Sequence, residues 1–362
     1  MKRFILISIL STFAYAISFS SQEISDCVVL KSFAADNNTS LKINNRYGTI
    51  TVVDSQVDSV TICGTLVIDH ANPQIALKSQ SLIVMDITSD GNEISVKTNY
   101  DDRFFSPSLS SGRKSFNVNY VVKIPSYINL SIENSFGDVI LDDISGSINI
   151  SLSHGNLTCS RLLRDNVKPL NSITLNHSRA KIPEAKWLIV EAYHSPYVEI
   201  AKCQALSVIS EYSTIDIGNV NSIVFSSKSD IYSINKVTNC ISETWLTKTK
   251  ISEIKDIFRA TAEMSSFRID KVERGFSEME IIGNNSAFTI VCDGSNSFML
   301  TAKADNAAIV VPEAYKDNIT RKSESNVVFS LSGLVGTDQN TLSRVNASVS
   351  HGKLEFLSLS GK

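Results

Sequence analysis

The sequence predicts an all-β fold: a solenoid of short, stacked parallel rungs with one short helix near its N-terminus. Repetition is the first observation behind this. An apolar pair, a turn marked by Gly, Ser or Asn, and a second apolar pair recur along the chain. Clear copies are INNRYGTITV from Ile43, IENSFGDVIL from Ile132, ISLSHGNLTC from Ile150, ITLNHSRAKI from Ile173 and VISEYSTIDI from Val208, with fainter ones continuing to VSHGKLEF, which ends at Phe356. Such self-similarity marks an architecture in which each unit buries its apolar face only against its neighbours. The period is the second observation. One anchor per turn gives the column Tyr47, Phe136, His154, His177, His194, Tyr212, Ser229, Thr249, Met264, Asn285, Asp305 and His351. From Phe136 to Asp305 these lie 15 to 23 residues apart, too close for helical-pair repeats of roughly 33 to 47 residues.

Parity is the third. Apolar residues fall four and two before the anchor, then three and five after it, as in Ile150, Leu152, Leu157 and Cys159 or Ile173, Leu175, Ala180 and Ile182. Each half alternates as a strand with one buried face does. Across the turn the parity switches, which an uninterrupted strand cannot do, because a slip of one residue sends every later side chain to the opposite face. A bulge or corner at the Gly/Ser position is expected to restore the inward direction.

Taken in order, Met1-Lys2-Arg3, the apolar run Phe4 to Phe13 and Ala14-Tyr15-Ala16 read as the n-region, h-region and cleavage site of a secretory signal within residues 1–20. A single elongated domain over 21–358 is expected to follow. Its rungs should be irregular over 21–130, regular over 131–310 and C-terminal over 311–358. Asn72-Pro73 offers an N-cap and a first-turn proline for a short helix running to Gln80. The stretch 101–114, DDRFFSPSLSSGRK, reads as a mobile surface loop between two strands. Arg161 to Leu170 and Gly333 to Leu342 read as further excursions. The six cysteines share no common column on adjacent rungs, so mostly free, partly buried thiols are expected.

Composition excludes several classes of function. With 34 basic against 37 acidic residues and a net charge of -3, the chain offers no field suited to nucleic acid. It carries no C-x-x-C metal spacing, G-x-S-x-G, phosphate-binding glycine loop or H-E-x-x-H.

The stretch from Val118 to Thr158, VNYVVKIPSYINLSIENSFGDVILDDISGSINISLSHGNLT, and the later units of the type YSTIDIGNV resemble the bacterial adhesin-like β-strand-repeat family over about residues 36 to 358. The resemblance is most specific at Asn134-Ser135-Phe136-Gly137-Asp138 and Glu211-Tyr212-Ser213. It implies an exported, right-handed, single-stranded parallel β-helix whose activity is unassigned.

Two constellations carry candidate chemistry. His154, His177 and His194 occupy the anchor column on consecutive rungs, about 4.8 Å apart, where imidazoles could share zinc or copper. Because Phe136 and Tyr212 flank them, an aromatic ladder is the stronger expectation. Asp138, Asp142, Asp143 and Asp101-Asp102-Arg103 are the acids a polysaccharide-cleaving β-helix would need, but they sit where turn chemistry also places Asp. The expectation is therefore a non-enzymatic, exported protein without a cofactor, found in the periplasm, at the outer surface or secreted. Its extended surface would meet a glycan, an envelope component or a host protein. A polysaccharide lyase or hydrolase and a structural envelope scaffold are the alternatives.

Overall fold

The computed structural model describes residues 27–293 and 295–359, so the expected signal segment lies outside the described residues. Within them the chain is all-β, and its strands join in one large, mostly parallel sheet. Each repeat supplies a strand before the turn and a strand after it. Ile148–Ser153 pairs in parallel with Asn129–Ser135 on one side and Asn171–Asn176 on the other, while Asn156–Cys159 pairs with Val139–Leu141 and Arg179–Ile182. Later repeats merge into long strands, Tyr197–Glu211, Thr214–Lys228 and Ile231–Trp245, that stack in unshifted register. This register brings like positions of every repeat together. Ile150, Leu152, Leu157, Cys159, Ile173, Leu175, Ala180, Ile182, Ile215 and Ile217 are all at most 2% exposed and belong to one core.

The parity switch is made by a corner, as expected, and the residue that turns is the anchor itself, one before the Gly/Ser position. Twelve non-glycine residues have φ between 47° and 63°, and ten of them are the sequence anchors. The other two are Leu246, where the sequence suggests Thr249, and Asn306, where it suggests Asp305. The reasons are local. Thr249 is β-branched, which suits the left-handed region poorly, and it is buried three residues past the true corner; asparagine tolerates that region well. Except at Asn306, which donates to Val327 (2.9 Å), each corner N–H donates to the carbonyl just before the neighbouring corner, as from Phe136 to Ser153 (2.9 Å), His154 to Asn176 (3.0 Å) and His177 to Tyr193 (3.0 Å).

The residue after each corner is short and either buried or half-buried. In the first repeats it is glycine, because a Cβ on Gly137 would lie 2.0 Å from the Gly48 carbonyl oxygen. From Ser178 onward a ladder of side-chain oxygens takes over. Ser213 Oγ accepts from the Ser195 N–H (3.1 Å), Asp230 Oδ1 from Ser213 (2.6 Å), Ser265 Oγ from Thr247 (3.0 Å) and Ser286 Oγ from Ser265 (3.0 Å). These are backbone donors that the strand ladders leave unpaired. Burial pushes the Asp230 carboxyl up, against donors from Ser210, Ser213, Ser227 and Lys228 that favour the charged form.

Chain order and spatial order part company near the C-terminus. Arg344–Ser350 lies between Glu278–Asn284 and Phe298–Asp305, so the His351 repeat is inserted ahead of the Asn306 repeat. Antiparallel strands close the stack: Ser59–His70 on Arg113–Ile124, and Val328–Val335 on Phe298–Asp305. The edge strand Ile319–Ser323 carries Arg321 and Lys322, charges that discourage edge-to-edge pairing.

The N-terminal helix forms as expected over Pro73–Gln80, with Asn72 accepting from the Gln74 N–H (2.9 Å). The stretch 101–114 differs from the expected loop. It folds into a 3₁₀ turn, Asp102–Phe105, and a short helix, Pro107–Ser110. Phe104 is the reason: it is fully buried against Tyr100 and Phe116, with the Arg113 guanidinium 3.8 Å over its ring. A hydrogen bond from the Arg103 side chain holds the Asp101 carboxyl down at about 2.

The cysteine expectation holds for four residues and fails for two. Cys159, Cys203, Cys240 and Cys292 are buried thiols, and burial pushes the first three up to about 12. Cys27 and Cys63 form a disulfide with a Cα separation of 5.6 Å. This pair lies outside the repeat columns, since Val29–Ala34 runs antiparallel to Ser59–His70.

Replacing Ile215 or Ile217 by Ala should cost about 2–5 kcal/mol, because stacked neighbours cannot collapse into the gap. Asp142 accepts one hydrogen bond, from the Asp54 N–H (3.2 Å), so Asp142→Ala should cost about 1 kcal/mol. Urea denaturation measures both; equal losses would contradict the core assignment.

Candidate binding face

On the strand before each corner, residues one, three and five positions back point away from the core. Unshifted register stacks them into columns with a spacing of about 4.8 Å. The column nearest the corner reads Arg46, Ser135, Ser153, Asn176, Tyr193, Glu211, Lys228, Trp245, Glu263, Asn284, Ser350 and Asp305. The next contains Glu191, Ile209, Ser226, Glu243, Thr261, Ile282 and Ser348. The early repeats thus present Ser, Asn and Thr, whereas the middle ones present aromatic and aliphatic groups.

Between Tyr193 and Ser350 this face sinks into a cleft of about 760 Å³. Ile209 and Ile282 are 46% and 47% exposed in it, and the Tyr193 and Trp245 rings are half-buried. The Lys228 ammonium pairs with Glu211 (2.7 Å) and lies 5.5 Å over the Trp245 ring. Glu243 and Glu263 line the cleft as well and are exposed, with no ion pair among the described residues. Because Trp245 pairs with Glu263, these two glutamates stand diagonally, one strand and two residues apart, roughly 8 Å at the backbone. A second cleft, of about 520 Å³, continues the face past Trp187, Ile189, Leu206 and Val224, bordered by Leu170.

The stretch just past the second apolar pair of each repeat differs in character. There Lys202 pairs with Glu184 (3.1 Å), and Glu253 accepts from both Lys236 (3.1 Å) and Lys271 (3.0 Å). The two lysines, Lys271 foremost, hold the Glu253 carboxyl at about 2. This flank neutralises its own charge, and the cleft face does not.

The corner column rims the face with rings. Tyr47, Phe136, His154, His177, His194 and Tyr212 stack in sequence at centroid distances of 5.3, 4.9, 4.9, 5.0 and 5.1 Å, with interplanar angles of 7° to 26°. Except for the half-buried Tyr47, these rings are exposed, so they cover one another's faces and offer their edges to solvent. A zinc ion about 2.1 Å from each of two nitrogens spans at most ~4.2 Å, so His154, His177 and His194 would have to tilt out of the stack to share one. No group of three or more His, Cys, Asp or Glu among the described residues is placed to hold a metal.

The acids singled out in the sequence lie elsewhere, and Asp101, which pairs with Arg103, Asp138, Asp142 and Asp143 are engaged. Asp138 accepts from the Asn156 N–H and Nδ2 (both 2.8 Å), Asp142 from Asp54, and Asp143 pairs with Arg161. Sequence reasoning missed Tyr193, Glu211, Trp245 and Glu263; Tyr193, Glu211 and Glu263 stand immediately before sequence anchors, whereas Trp245 precedes Leu246, a corner the sequence did not reveal.

No family model matches the chain, and no curated protein does. Among solved structures it is similar to a proposed cell adhesion protein of Clostridium sporogenes, at 9% identity over 91% of this chain and 99% of that one, with a TM-score of 0.19. It is also similar to a proposed adhesin of Bacteroides fragilis, at 10% identity over 91% and 96%, with a TM-score of 0.23. At these scores neither likeness carries an argument.

His177→Phe should leave the melting temperature unchanged or raise it, since Phe136 already holds the same backbone conformation in the stack and a ring replaces a ring. Elemental analysis accompanies the melt; one equivalent of zinc or copper in the wild type, lost in the variant, would overturn the stack as the role of these histidines. Glu253 predicts a pH effect of definite sign. Its folded value lies below the ordinary 4.5, so its stabilisation is present above that value and is lost as pH falls toward 2. Glu253→Gln should flatten the stability–pH slope between 4.5 and 2, as read from denaturation midpoints.

Proposed function

We propose that this chain is a right-handed β-solenoid exported to the cell envelope, where it binds a partner through the cleft-bearing face and catalyses no reaction. The observation that carries this is the contrast between its sides. One flank pairs its charges laterally, whereas the cleft face leaves Ile209, Ile282 and two glutamates open to solvent. A concave face that joins apolar groups to a few unpaired polar ones is the expected form of a contact site. The right hand follows from the handedness of parallel crossovers, about 98% of which are right-handed. Export is supported by the signal-like segment at residues 1–20 and by the Cys27–Cys63 disulfide, a bond favoured in oxidising compartments. The elongated domain extends over 21–358, and no helix among the described residues is long and apolar enough to cross a membrane.

A polysaccharide-active enzyme is the second reading. The observation favouring it is that Glu243 and Glu263 line one cleft from adjacent strands, as glycoside hydrolysis uses a pair of carboxylates. Both are exposed, whereas a general acid needs burial to stay protonated near neutral pH. Binding is therefore the better reading, and it also separates this protein from a scaffold with no diffusible ligand.

Purified protein should be retained on a panel of immobilised glycans, envelope extracts and host proteins. Retention should be lost in an Ile209→Asp/Ile282→Asp variant whose melting curve is unchanged. Equal retention of the two proteins would remove the face from the binding role, and release of new reducing ends from a retained glycan would favour the enzyme.

A further inference from the structure

The cleft is far longer than it is wide. From Tyr193 to Ser350 the corner-side column crosses six strand spacings, roughly 29 Å at about 4.8 Å each. A site of this shape suits a linear polymer lying along the stacking direction. An extended peptide advances about 3.3 Å per residue and falls out of step with the strands, whereas a pyranose unit advances by about one strand spacing. Successive sugars can therefore meet equivalent positions on successive repeats.

The chemistry narrows the polymer further. The Tyr193 ring, and the Trp245 ring on the side away from Lys228, give flat apolar surfaces for the C–H faces of sugar rings, and Ile209 and Ile282 add aliphatic surface at either end. Glu263 and Asn284 follow Trp245 on the next two strands, where planar carboxylate and amide groups can meet pairs of sugar hydroxyls. The charged lining consists of Glu211, Glu243 and Glu263 against the single Lys228, which is already paired with Glu211. The cleft is thus anionic, with two carboxylates that lack a cation.

We propose that the cleft holds a linear amino-sugar glycan along the stacking direction and rejects acidic polysaccharides, an inference that rests on the binding reading above. Sugar rings stack on Tyr193 and Trp245, and their amino groups meet Glu243 and Glu263. A uronate chain brings like charges to the same carboxylates, which is how a site excludes a competitor of similar shape.

Isothermal titration of the full protein with hexamers of glucosamine, N-acetylglucosamine, galacturonate and lysine tests this. The glucosamine hexamer should bind tightest, about tenfold tighter than the acetylated one at low salt, with the gap closing at high salt. Galacturonate should not bind, and a glucosamine trimer should bind more weakly than the hexamer. Trp245→Ala should weaken binding roughly 30-fold, the loss expected of an anchoring aromatic, and Tyr193→Ser gives an independent check if that variant is unstable. If galacturonate or hexalysine binds best and Trp245→Ala still abolishes it, the amino-sugar assignment falls while the binding face stands. If a hexamer binds equally to wild type and to a folded Trp245→Ala variant, both fall. Binding of none of the four overturns the ligand class, and the retention panel then decides the face.

Discussion

Twelve non-glycine residues among those described are held in the left-handed region, at φ between 47° and 63°, and they are the constraint from which the rest of the structure follows. An L-residue with a side chain enters that region at a cost of about 1–2 kcal/mol, so each corner needs compensation. It receives three kinds. At all but the last corner of the stack the N–H bonds to the next repeat's carbonyl, a short residue after the corner lets that repeat approach, and from Tyr47 to Tyr212 the side chain also stacks on its equivalents. None of these exists in a single repeat. A corner is stable only in company, which ties local conformation to the register of the whole stack.

The same constraint creates the outer surface. With parity reset at each corner, the residues before it alternate strictly between core and solvent, and unshifted pairing lines the outward ones into columns. A column is a one-dimensional array in which a single chemical choice per repeat builds an extended surface. In the early repeats those choices are hydroxyls and amides; between Tyr193 and Asn284 they become rings, aliphatic groups and carboxylates. The flank past the second apolar pair makes a different choice, with alternating charges that neutralise one another across strands. Core demands fix neither pattern, so the difference between the two sides carries the functional information.

The core and the cleft lining therefore rest on separate positions. Ile215 and Ile217 hold repeats together, the corner hydroxyls satisfy buried donors, and Trp245 or Glu263 can change without disturbing either. The aromatic stack lies between the two, because its ring faces are used in packing while its edges border the cleft-bearing face.

The repeat, its period, the inward positions and the N-terminal helix could be read from the residues because each depends on interactions between near neighbours or on a strict alternation. The stack of Phe136, His154, His177, His194 and Tyr212 was legible for the same reason: equal spacing in the sequence becomes equal height in the structure. Tertiary structure alone decided what depends on contacts between segments remote along the chain. It placed the corner at Leu246 rather than Thr249, since a β-branched side chain was better buried than turned left-handed. It buried Phe104 among rings from three segments and so folded a polar-looking stretch into helical turns. It joined Cys27 to Cys63 through an antiparallel pairing outside the repeat, and it slipped the His351 repeat ahead of the Asn306 repeat. The cleft belongs to this second group. Tyr193, Trp245 and Glu263 are unremarkable in the sequence, and only unshifted parallel register brings them onto one surface.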